Sequence, residues 1–167
     1  QVLTASAEDA DRVRALAPKT PPIVYPNAIP LLERPVVPQE RSIVFSGNLA
    51  YHPNVEGVRY FYEQIWPVIR RECPDLRWRL IGKNPEGVRG MLRKDPRIDV
   101  VGPVAEALPE LGRSLVAVVP LRSGSGTRVK ILEAWAAGVP VVSTPIGAEG
   151  LEARDGTHLY LASKPDA

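Results

Sequence analysis

From residue 42 onward, two kinds of apolar pattern alternate along the chain. Short, continuous apolar runs end at a glycine, a proline or a small polar residue, and between them apolar positions recur at helical spacing. The runs predict strands buried on both faces of a sheet, and the helical spacing predicts helices packed against it. The predicted strands are 42–46, 76–81, 98–101, 115–120, 139–143 and 156–162, and the predicted helices are 55–73, 86–93, 105–111 and 127–137.

This alternation predicts an α/β fold, a Rossmann-like parallel sheet with helices on both faces. Parallel strands all end at the same edge of a sheet, so we expect the ligand site beyond their carboxyl ends. Pro67 falls inside the predicted helix 55–73 and should kink it or begin a second helical segment.

The first 40 residues have a different character. Residues 2–4 predict the end of a strand, and Ser6 predicts the N-cap of a helix over 7–16. Seven prolines between Pro18 and Pro38 exclude a helix there and leave at most a short strand at 23–25. We therefore place a domain boundary near residue 40 and expect one domain over 41–167, truncated at its C-terminal end.

Composition excludes several classes of function. The formal net charge is only +2 and the basic residues are scattered, so no nucleic-acid partner is expected. The single cysteine, Cys73, cannot form an internal disulfide, which fits a cytoplasmic protein. The longest apolar runs are far shorter than the roughly 20 residues that a membrane-spanning helix needs, so we expect no span.

The densest signal for ligand binding lies in the segment 120–144. It reads as a buried strand, a loop of small residues and a helix. Gly124, Ser125 and Gly126 let a ligand approach the backbone closely, and the exposed amides at the helix start, including that of Thr127, favour an anion. Phosphate is the anion that this arrangement suits best.

Two cations strengthen this prediction. Arg128 and Lys130 are placed in the first turn of the helix, where a positive charge opposes the helix dipole unless an anion binds there. Glu133 follows Lys130 by three residues and could accept hydrogen bonds from a ribose diol while the lysine holds a phosphate. A surface Lys–Glu pair beside a glycine-rich turn explains the same spacing, and the residues alone leave both interpretations open.

The segment 132–144 reads Leu-Glu-Ala-Trp-Ala-Ala-Gly-Val-Pro-Val-Val-Ser-Thr. It resembles the signature of the retaining glycosyltransferases built from two facing Rossmann-like domains, the GT-B fold, in the group that contains sucrose synthases and mannosyltransferases. The likeness covers most of residues 22–162. It implies that the chain is the C-terminal half of a GT-B enzyme, binding a UDP- or GDP-sugar whose glycosyl group passes, with retention, to a saccharide or lipid-linked acceptor in polysaccharide biosynthesis.

The resemblance also implies roles for individual residues. It places Glu133 on the nucleotide ribose and Arg128 and Lys130 on the diphosphate, where they would act in catalysis by stabilising the leaving group. The segment 45–48 resembles the glycine loop after the first strand of the donor domain, which places Gly47 and Asn48 near the diphosphate.

Two further segments carry the likeness. The loop 82–85 resembles one that flanks the nucleobase, which makes Lys83 a candidate for donor binding. The segment 25–30 resembles the passage between the two domains. Residues 1–40 would then combine the tail of an N-terminal acceptor domain, acting in cis, with the Pro-rich interdomain linker, and the fragment alone should be inactive.

The sequence departs from the family pattern in two places. The family usually carries a second glutamate eight positions before Glu133, where this chain has Ser125, so sugar recognition differs here or donor use has been altered or lost. Relatives often have an arginine and a lysine soon after the glycine loop. Here Asn48, Tyr51, His52 and Asn54 stand there instead, which leaves the phosphate charge to Arg128 and Lys130.

Other functions receive less support. Asp9 and Asp11 match a metal-binding Asp-x-Asp, but they lie at a helix start where the dipole favours acids, so no metal is expected there. The glycine fingerprint of dinucleotide-binding proteins is incomplete, because Val129 stands where its third glycine would be, so no such cofactor is expected either. A sugar-nucleotide epimerase of the same architecture and a non-catalytic nucleotide-sugar-binding module remain as alternatives. A lipid-linked acceptor would bring the cytoplasmic protein to the inner face of the membrane as a peripheral enzyme.

Overall fold

The computed structural model describes residues 2–30, 33–92, 95–124 and 128–165. In chain order its elements are β1 (Val2–Thr4), α1 (Ala7–Leu16), β2 (Pro22–Val24), β3 (Ser42–Ser46), α2 (His52–Tyr60), a π-helical turn (Phe61–Ile65), α3 (Trp66–Glu72), β4 (Arg77–Ile81), α4 (Glu86–Leu92), β5 (Ile98–Gly102), α5 (Ala107–Gly112), β6 (Val116–Val119), α6 (Val129–Ala136), β7 (Val141–Ser143), a 3₁₀ turn (Ile146–Ala148) and β8 (Tyr160–Leu161).

Six strands form one parallel sheet in the order β5-β4-β3-β6-β7-β8. The chain enters the sheet in its middle at β3, moves outward through β4 to β5, and then returns to place β6 on the other side of β3. This is the strand order of the doubly wound dinucleotide-binding folds. The predicted α/β fold with a Rossmann-like parallel sheet is confirmed.

The burial of β3 follows from its central position. Ile43, Val44 and Phe45 are all buried, which a strand covered on both faces requires. Helices α2 and α4 contact each other, as do α5 and α6, and right-handed crossovers place these two pairs on opposite faces of the sheet.

Helix α2 leads through the π-helical turn into α3, where Pro67 stands in the first turn. The prediction that Pro67 begins a second helical segment is confirmed, although the helix starts at His52, earlier than expected. Phe61 and Trp66 from this region pack on Trp78 of β4, with ring centroids 4.6 and 5.8 Å from the Trp78 ring. These three side chains form an aromatic cluster within the core.

The buried carboxylate of Asp95 lies beside this aromatic cluster and contacts Trp66. Asp95 is 4% exposed and accepts hydrogen bonds from Trp66 Nε1 at 2.9 Å, Arg70 Nη1 at 3.2 Å and the Arg97 amide at 3.0 Å. Burial alone would raise the pKa of Asp95, but these hydrogen bonds outweigh it and hold the pKa below its usual value.

The N-terminal segment forms its own small parallel pair, β1 with β2. The Ser6 hydroxyl accepts the Asp9 amide at 3.1 Å, so the predicted cap of α1 is confirmed. The helix contacts the six-stranded unit through Arg12, whose Nη2 lies 3.4 Å from Glu149 Oε1. No helix among residues 2–30, 33–92, 95–124 and 128–165 is long and apolar enough to cross a membrane.

The last strand is shorter than predicted. The chain turns at Gly156, which has a φ of +69° and whose amide donates to the Leu159 carbonyl at 2.8 Å. Residues 156–159 therefore form a turn, and only Tyr160–Leu161 pair with β7.

Replacing Asp95 with Ala should destabilise the protein by about 1 to 3 kcal/mol, because it leaves Trp66 Nε1 buried without an acceptor. The matched control is Asp99→Ala, which breaks the more exposed ion pair with Arg77 and should cost less than about 1 kcal/mol. Urea unfolding followed by tryptophan fluorescence measures both. Equal losses would contradict a structural role for the buried carboxylate.

Candidate functional site

The strand order reverses between β3 and β6, and the loops that follow these two strands diverge at the carboxyl edge of the sheet. In doubly wound folds this divergence opens the crevice that binds ligands. Gly47 and Asn48 follow β3, and the segment 121–124 follows β6. Ser123 Oγ donates to Glu56 Oε2 on α2 at 2.6 Å, so a side-chain bond ties the two sides of the crevice together.

Lys130 reaches across this crevice from the first turn of α6. Its Nζ donates to Asn54 Oδ1 at 2.8 Å and lies 4.1 Å from the centroid of the Phe45 ring. It also flanks Gly47, because a Cβ added to Gly47 would lie 3.0 Å from Nζ. Two predicted site residues, Gly47 and Lys130, are thus brought together from opposite sides of the reversal.

Three asparagines connect the loops around this lysine. Asn54 Nδ2 donates to the Asn48 carbonyl at 2.8 Å, and Asn84 Nδ2 donates to Asn48 Oδ1 at 2.9 Å. Asn48 Oδ1 also accepts the Ala50 amide at 3.1 Å. The Asn48 side chain, predicted near the diphosphate, is therefore exposed but already fixed by neighbouring loops.

The environment of Lys130 disfavours its charge. Removal of the ammonium from water is the largest cause, nearby Arg128 adds to it and Glu133 opposes it, and together they lower the pKa of Lys130 from 10.5 to about 7. The Phe45 ring offers only partial compensation to the cation. An anion bound beside Nζ would restore the charged form.

Arg128 occupies a different position from the one predicted. It is the N-cap residue of α6, not a member of its first turn, and only 6% of its surface is exposed. Its Nη2 donates to the Gly124 carbonyl at 2.9 Å and to the Ile146 carbonyl at 3.1 Å, and lies 3.8 Å from Glu149 Oε2. These contacts make Arg128 a tie between the β6–α6 loop and the 3₁₀ turn.

Glu133 lies one turn after Lys130 on α6 and is half-buried. Burial is the main cause that raises its pKa, and the positive charge of Lys130 opposes this effect. Among the residues that the structure describes, none donates a hydrogen bond to the Glu133 carboxylate. The carboxylate therefore keeps its capacity to accept from a ligand.

The other predicted donor-binding residues are Lys83, Gly126 and Thr127. Lys83 is exposed in the loop after β4, and its carbonyl accepts the Leu49 amide at 2.8 Å. Gly126 and Thr127 lie outside the described residues, as does Ser125. In the described part of the chain no group of three His, Cys, Asp or Glu side chains is placed to hold a metal ion.

Sequence reasoning missed two contacts at this site. In the sequence, Asn54 stands out only as a neutral residue where relatives often have a cation, and nothing there indicates that its amide meets Lys130. Glu149, which lies between Arg128 and Arg12 of α1, gave no signal at all. Both contacts join segments far apart in sequence, and no local spacing reveals them.

The loops around the site pack backbone against backbone. A Cβ added to Gly82 would lie 1.7 Å from the Gly47 carbonyl oxygen, and one added to Gly87 would lie 2.3 Å from the Leu49 carbonyl oxygen. Neither position can hold a side chain without moving the loop after β3. The two glycines therefore set the distance between that loop and α4.

Comparison with known proteins assigns the family. The family described as "Glycosyl transferases group 1" matches residues 40–167, which is most of the chain. The chain belongs to this family. A Klebsiella pneumoniae protein described as an uncharacterized 44.6 kDa protein in the cps region is 27% identical over 130 residues, a match that covers 73% of this chain and 34% of that protein.

Solved structures share the fold at low sequence identity. The pneumococcal O-GlcNAc transferase GtfA, in complex with UDP and GlcNAc, gives a TM-score of 0.71 at 13% identity over 96% of this chain and 33% of its own. HepE of Anabaena, in complex with UDP-glucose, gives 0.75 at 14% identity over 98% and 50%. The six-stranded unit of this family member has the fold of the C-terminal GT-B domain, and the chain spans a third to half of these proteins.

Two glycines of α4 provide a test of the loop packing. Gly87→Ala should destabilise the chain and displace the loop after β3, because the new methyl group meets the Leu49 carbonyl. Gly90→Ala in the same helix has nothing within 4 Å of the new Cβ and should stabilise it by up to about 1 kcal/mol. Thermal unfolding of both variants measures the difference, and a stabilising Gly87→Ala would refute the close approach.

The lowered pKa of Lys130 predicts a pH-dependent stability. Between about 7 and 10.5 the unfolded chain binds a proton at Lys130 that the folded protein does not, so this residue makes the folded state more stable as pH rises through that range. Lys130→Met should remove the slope, whereas Lys83→Met controls for loss of a lysine from a neighbouring loop. Urea unfolding at several pH values measures this, and parallel curves for wild type and Lys130→Met would contradict it.

Proposed function

We propose that this chain binds the nucleoside diphosphate of a sugar donor in the crevice between β3 and β6. One observation carries the proposal: Lys130 from α6 meets the Gly47 loop at the reversal of strand order, in a chain that belongs to the group 1 glycosyltransferases. A lysine with a lowered pKa beside a glycine backbone is suited to an anion that can lie against both.

In this proposal Lys130 holds the diphosphate. None of the described carboxylates forms an ion pair with its Nζ, and its nearest polar partner is the neutral Asn54 amide at 2.8 Å. A diphosphate would supply the missing negative charge, and the charge that grows on it as the glycosidic bond breaks would be stabilised in turn. Arg128 contributes positive charge to the same region while it holds the loop.

Other residues complete the donor site. The half-buried Glu133 carboxylate accepts hydrogen bonds from the ribose diol, one helical turn from Lys130. The amides of Gly126 and Thr127 bind phosphate oxygens, Gly47 and Asn48 line the opposite side, and Lys83 lies towards the nucleobase. No metal is required, because the lysine and the backbone amides stabilise the negative charge on the leaving diphosphate, which a metal ion does in other folds.

The activity of the whole protein is part of the same proposal. The chain spans only a third to half of its matched relatives, and we propose that residues 1–40 are the tail of an acceptor domain and a linker, with the donor domain over 41–167. The full protein would transfer the glycosyl group, with retention, to a saccharide or lipid-linked acceptor. The likeness to a protein from a cps region supports a role in polysaccharide biosynthesis. A lipid-linked acceptor would bring the enzyme to the cytoplasmic face of the membrane.

UDP is the first nucleotide to test, since the GtfA and HepE structures contain it. GDP remains the second choice from the sequence. A non-catalytic nucleotide-sugar-binding module is the competing function, and one observation favours it: Ser125 stands where the family usually has a glutamate. Such a module would bind a nucleotide sugar in the same way but would not transfer its sugar.

Calorimetric titration with UDP, GDP and ADP tests the donor site. We expect saturable binding of one nucleotide, weakened by about 1 to 3 kcal/mol in Lys130→Ala through loss of a charge-assisted hydrogen bond. Glu133→Ala should weaken binding of the nucleotide but not of inorganic pyrophosphate, which has no ribose. Lys19→Ala, in the exposed N-terminal segment, is the matched control. Unchanged affinity in Lys130→Ala would rule out its role.

A further inference from the structure

Asn54 occupies an unusual position for an uncharged polar side chain. It lies in the first turn of α2, is only 6% exposed, and forms hydrogen bonds at both ends of its amide. Its Oδ1 accepts from Lys130 Nζ at 2.8 Å, and its Nδ2 donates to the Asn48 carbonyl at 2.8 Å. An ammonium can only donate and a carbonyl can only accept, so these two partners fix the orientation of the amide.

The hydrogen bond to Asn54 fixes the position of the Lys130 ammonium group. Nζ and the Asn54 amide lie side by side against Gly47, since a Cβ on Gly47 would be 3.0 Å from Nζ and 2.9 Å from Asn54 Nδ2. The Asn48 carbonyl that holds Nδ2 belongs to the same loop. The asparagine therefore connects the β3–α2 loop to the long side chain that arrives from α6.

The charge of the partner matters as much as its position. A carboxylate at this distance would form an ion pair with the lysine, whereas the amide accepts a hydrogen bond and supplies no counter-charge, so Lys130 can still pair with an anionic ligand. Two charged groups shift the pKa of Lys130: Arg128, which is the N-cap of α6, and Glu133, which lies on α6 itself. From α2 and β3, which the structure describes in full, Nζ contacts the neutral Asn54 amide and the Phe45 ring.

We propose that Asn54 is a positioning residue that holds the Lys130 ammonium against the Gly47 loop without neutralising it, and so reserves its charge for the diphosphate. This inference rests on the proposed function, because it assigns Asn54 a task only if Lys130 binds the diphosphate. Asn54 does not touch the reacting atoms; it acts through Lys130.

Asn54→Asp is the decisive variant, because it keeps the shape of the side chain and places a negative charge beside Lys130. It also replaces the Nδ2 donor to the Asn48 carbonyl with an oxygen, so its folding is checked separately. The control is Asn27→Asp, the same chemical change at an exposed residue of the N-terminal segment. Lysines labelled with ¹³C at Cε report the pKa of Lys130 by NMR, with Lys130→Met assigning its signal. Calorimetry at pH 6.5 measures UDP affinity where Lys130 is mainly protonated in both proteins.

In Asn54→Asp we expect the pKa of Lys130 to rise by about one to three units. UDP affinity at pH 6.5 should fall by about 10- to 100-fold, because the new carboxylate takes the place of the diphosphate as counter-ion. Asn27→Asp should change neither quantity. Asn54→Ser, which keeps a neutral acceptor, should lose less affinity than Asn54→Asp, a difference that a purely structural role would not produce.

Two results would overturn the inference. Either Asn54→Asp binds UDP as tightly as wild type at pH 6.5, or the Lys130 signal titrates at the same pH in both proteins while thermal unfolding shows that each is folded. If the wild type binds none of the nucleotides, the proposed function fails and the positioning role fails with it. The NMR titration then still shows whether the two side chains are in contact, which separates the two failures.

Discussion

The reversal of strand order beside β3 is the constraint on which the candidate site depends. Because β4 and β6 flank β3 on opposite sides, the loops that leave β3 and β6 separate at the carboxyl edge and leave a crevice. On the β4 side, neighbouring loops approach the loop after β3 at backbone distance and so hold one wall of the crevice in place. Gly82 and Gly87 permit this approach, since a side chain at either position would meet a carbonyl of the loop after β3.

Electrostatics within the crevice are divided between two cations. Arg128 is buried against the carbonyls of Gly124 and Ile146, so its first effect is to hold the loop before α6 in place. Lys130 instead crosses the crevice to a neutral amide and rests on the Phe45 ring. Its charge is disfavoured in the absence of a ligand, and a site of this kind gains most from an anion.

The N-terminal segment is connected to this site by a chain of charges. Arg12 of α1 lies near one oxygen of Glu149, and Arg128 lies near the other. Glu149 is thus shared between the segment that precedes the linker and the residue that caps α6. The 3₁₀ turn before Glu149 offers the Ile146 carbonyl to the same guanidinium, so a short turn joins three parts of the chain.

Local patterns predicted most of the elements because their causes are local. The apolar run at 42–46 became β3, the Ser6 cap began α1, and Pro67 began α3, each from residues adjacent in sequence. The prediction failed at two places. The turn at 156–159, closed by the Gly156 amide on the Leu159 carbonyl, replaced part of the last strand. Arg128 became the N-cap of α6, held by the carbonyls of Gly124 and Ile146, instead of a member of its first turn.

The same division applies to the site. The sequence by itself determined the fold class, the family and the residue types at the sheet edge. The spacing of apolar residues, the glycine positions and the motif at 132–144 are all properties of short stretches of consecutive residues. Only the tertiary structure decided that Lys130 meets Asn54 and Gly47 and that Arg128 meets Ile146 and Glu149. These contacts join residues up to 83 positions apart, and they form only when the parallel sheet has brought its loops to one edge.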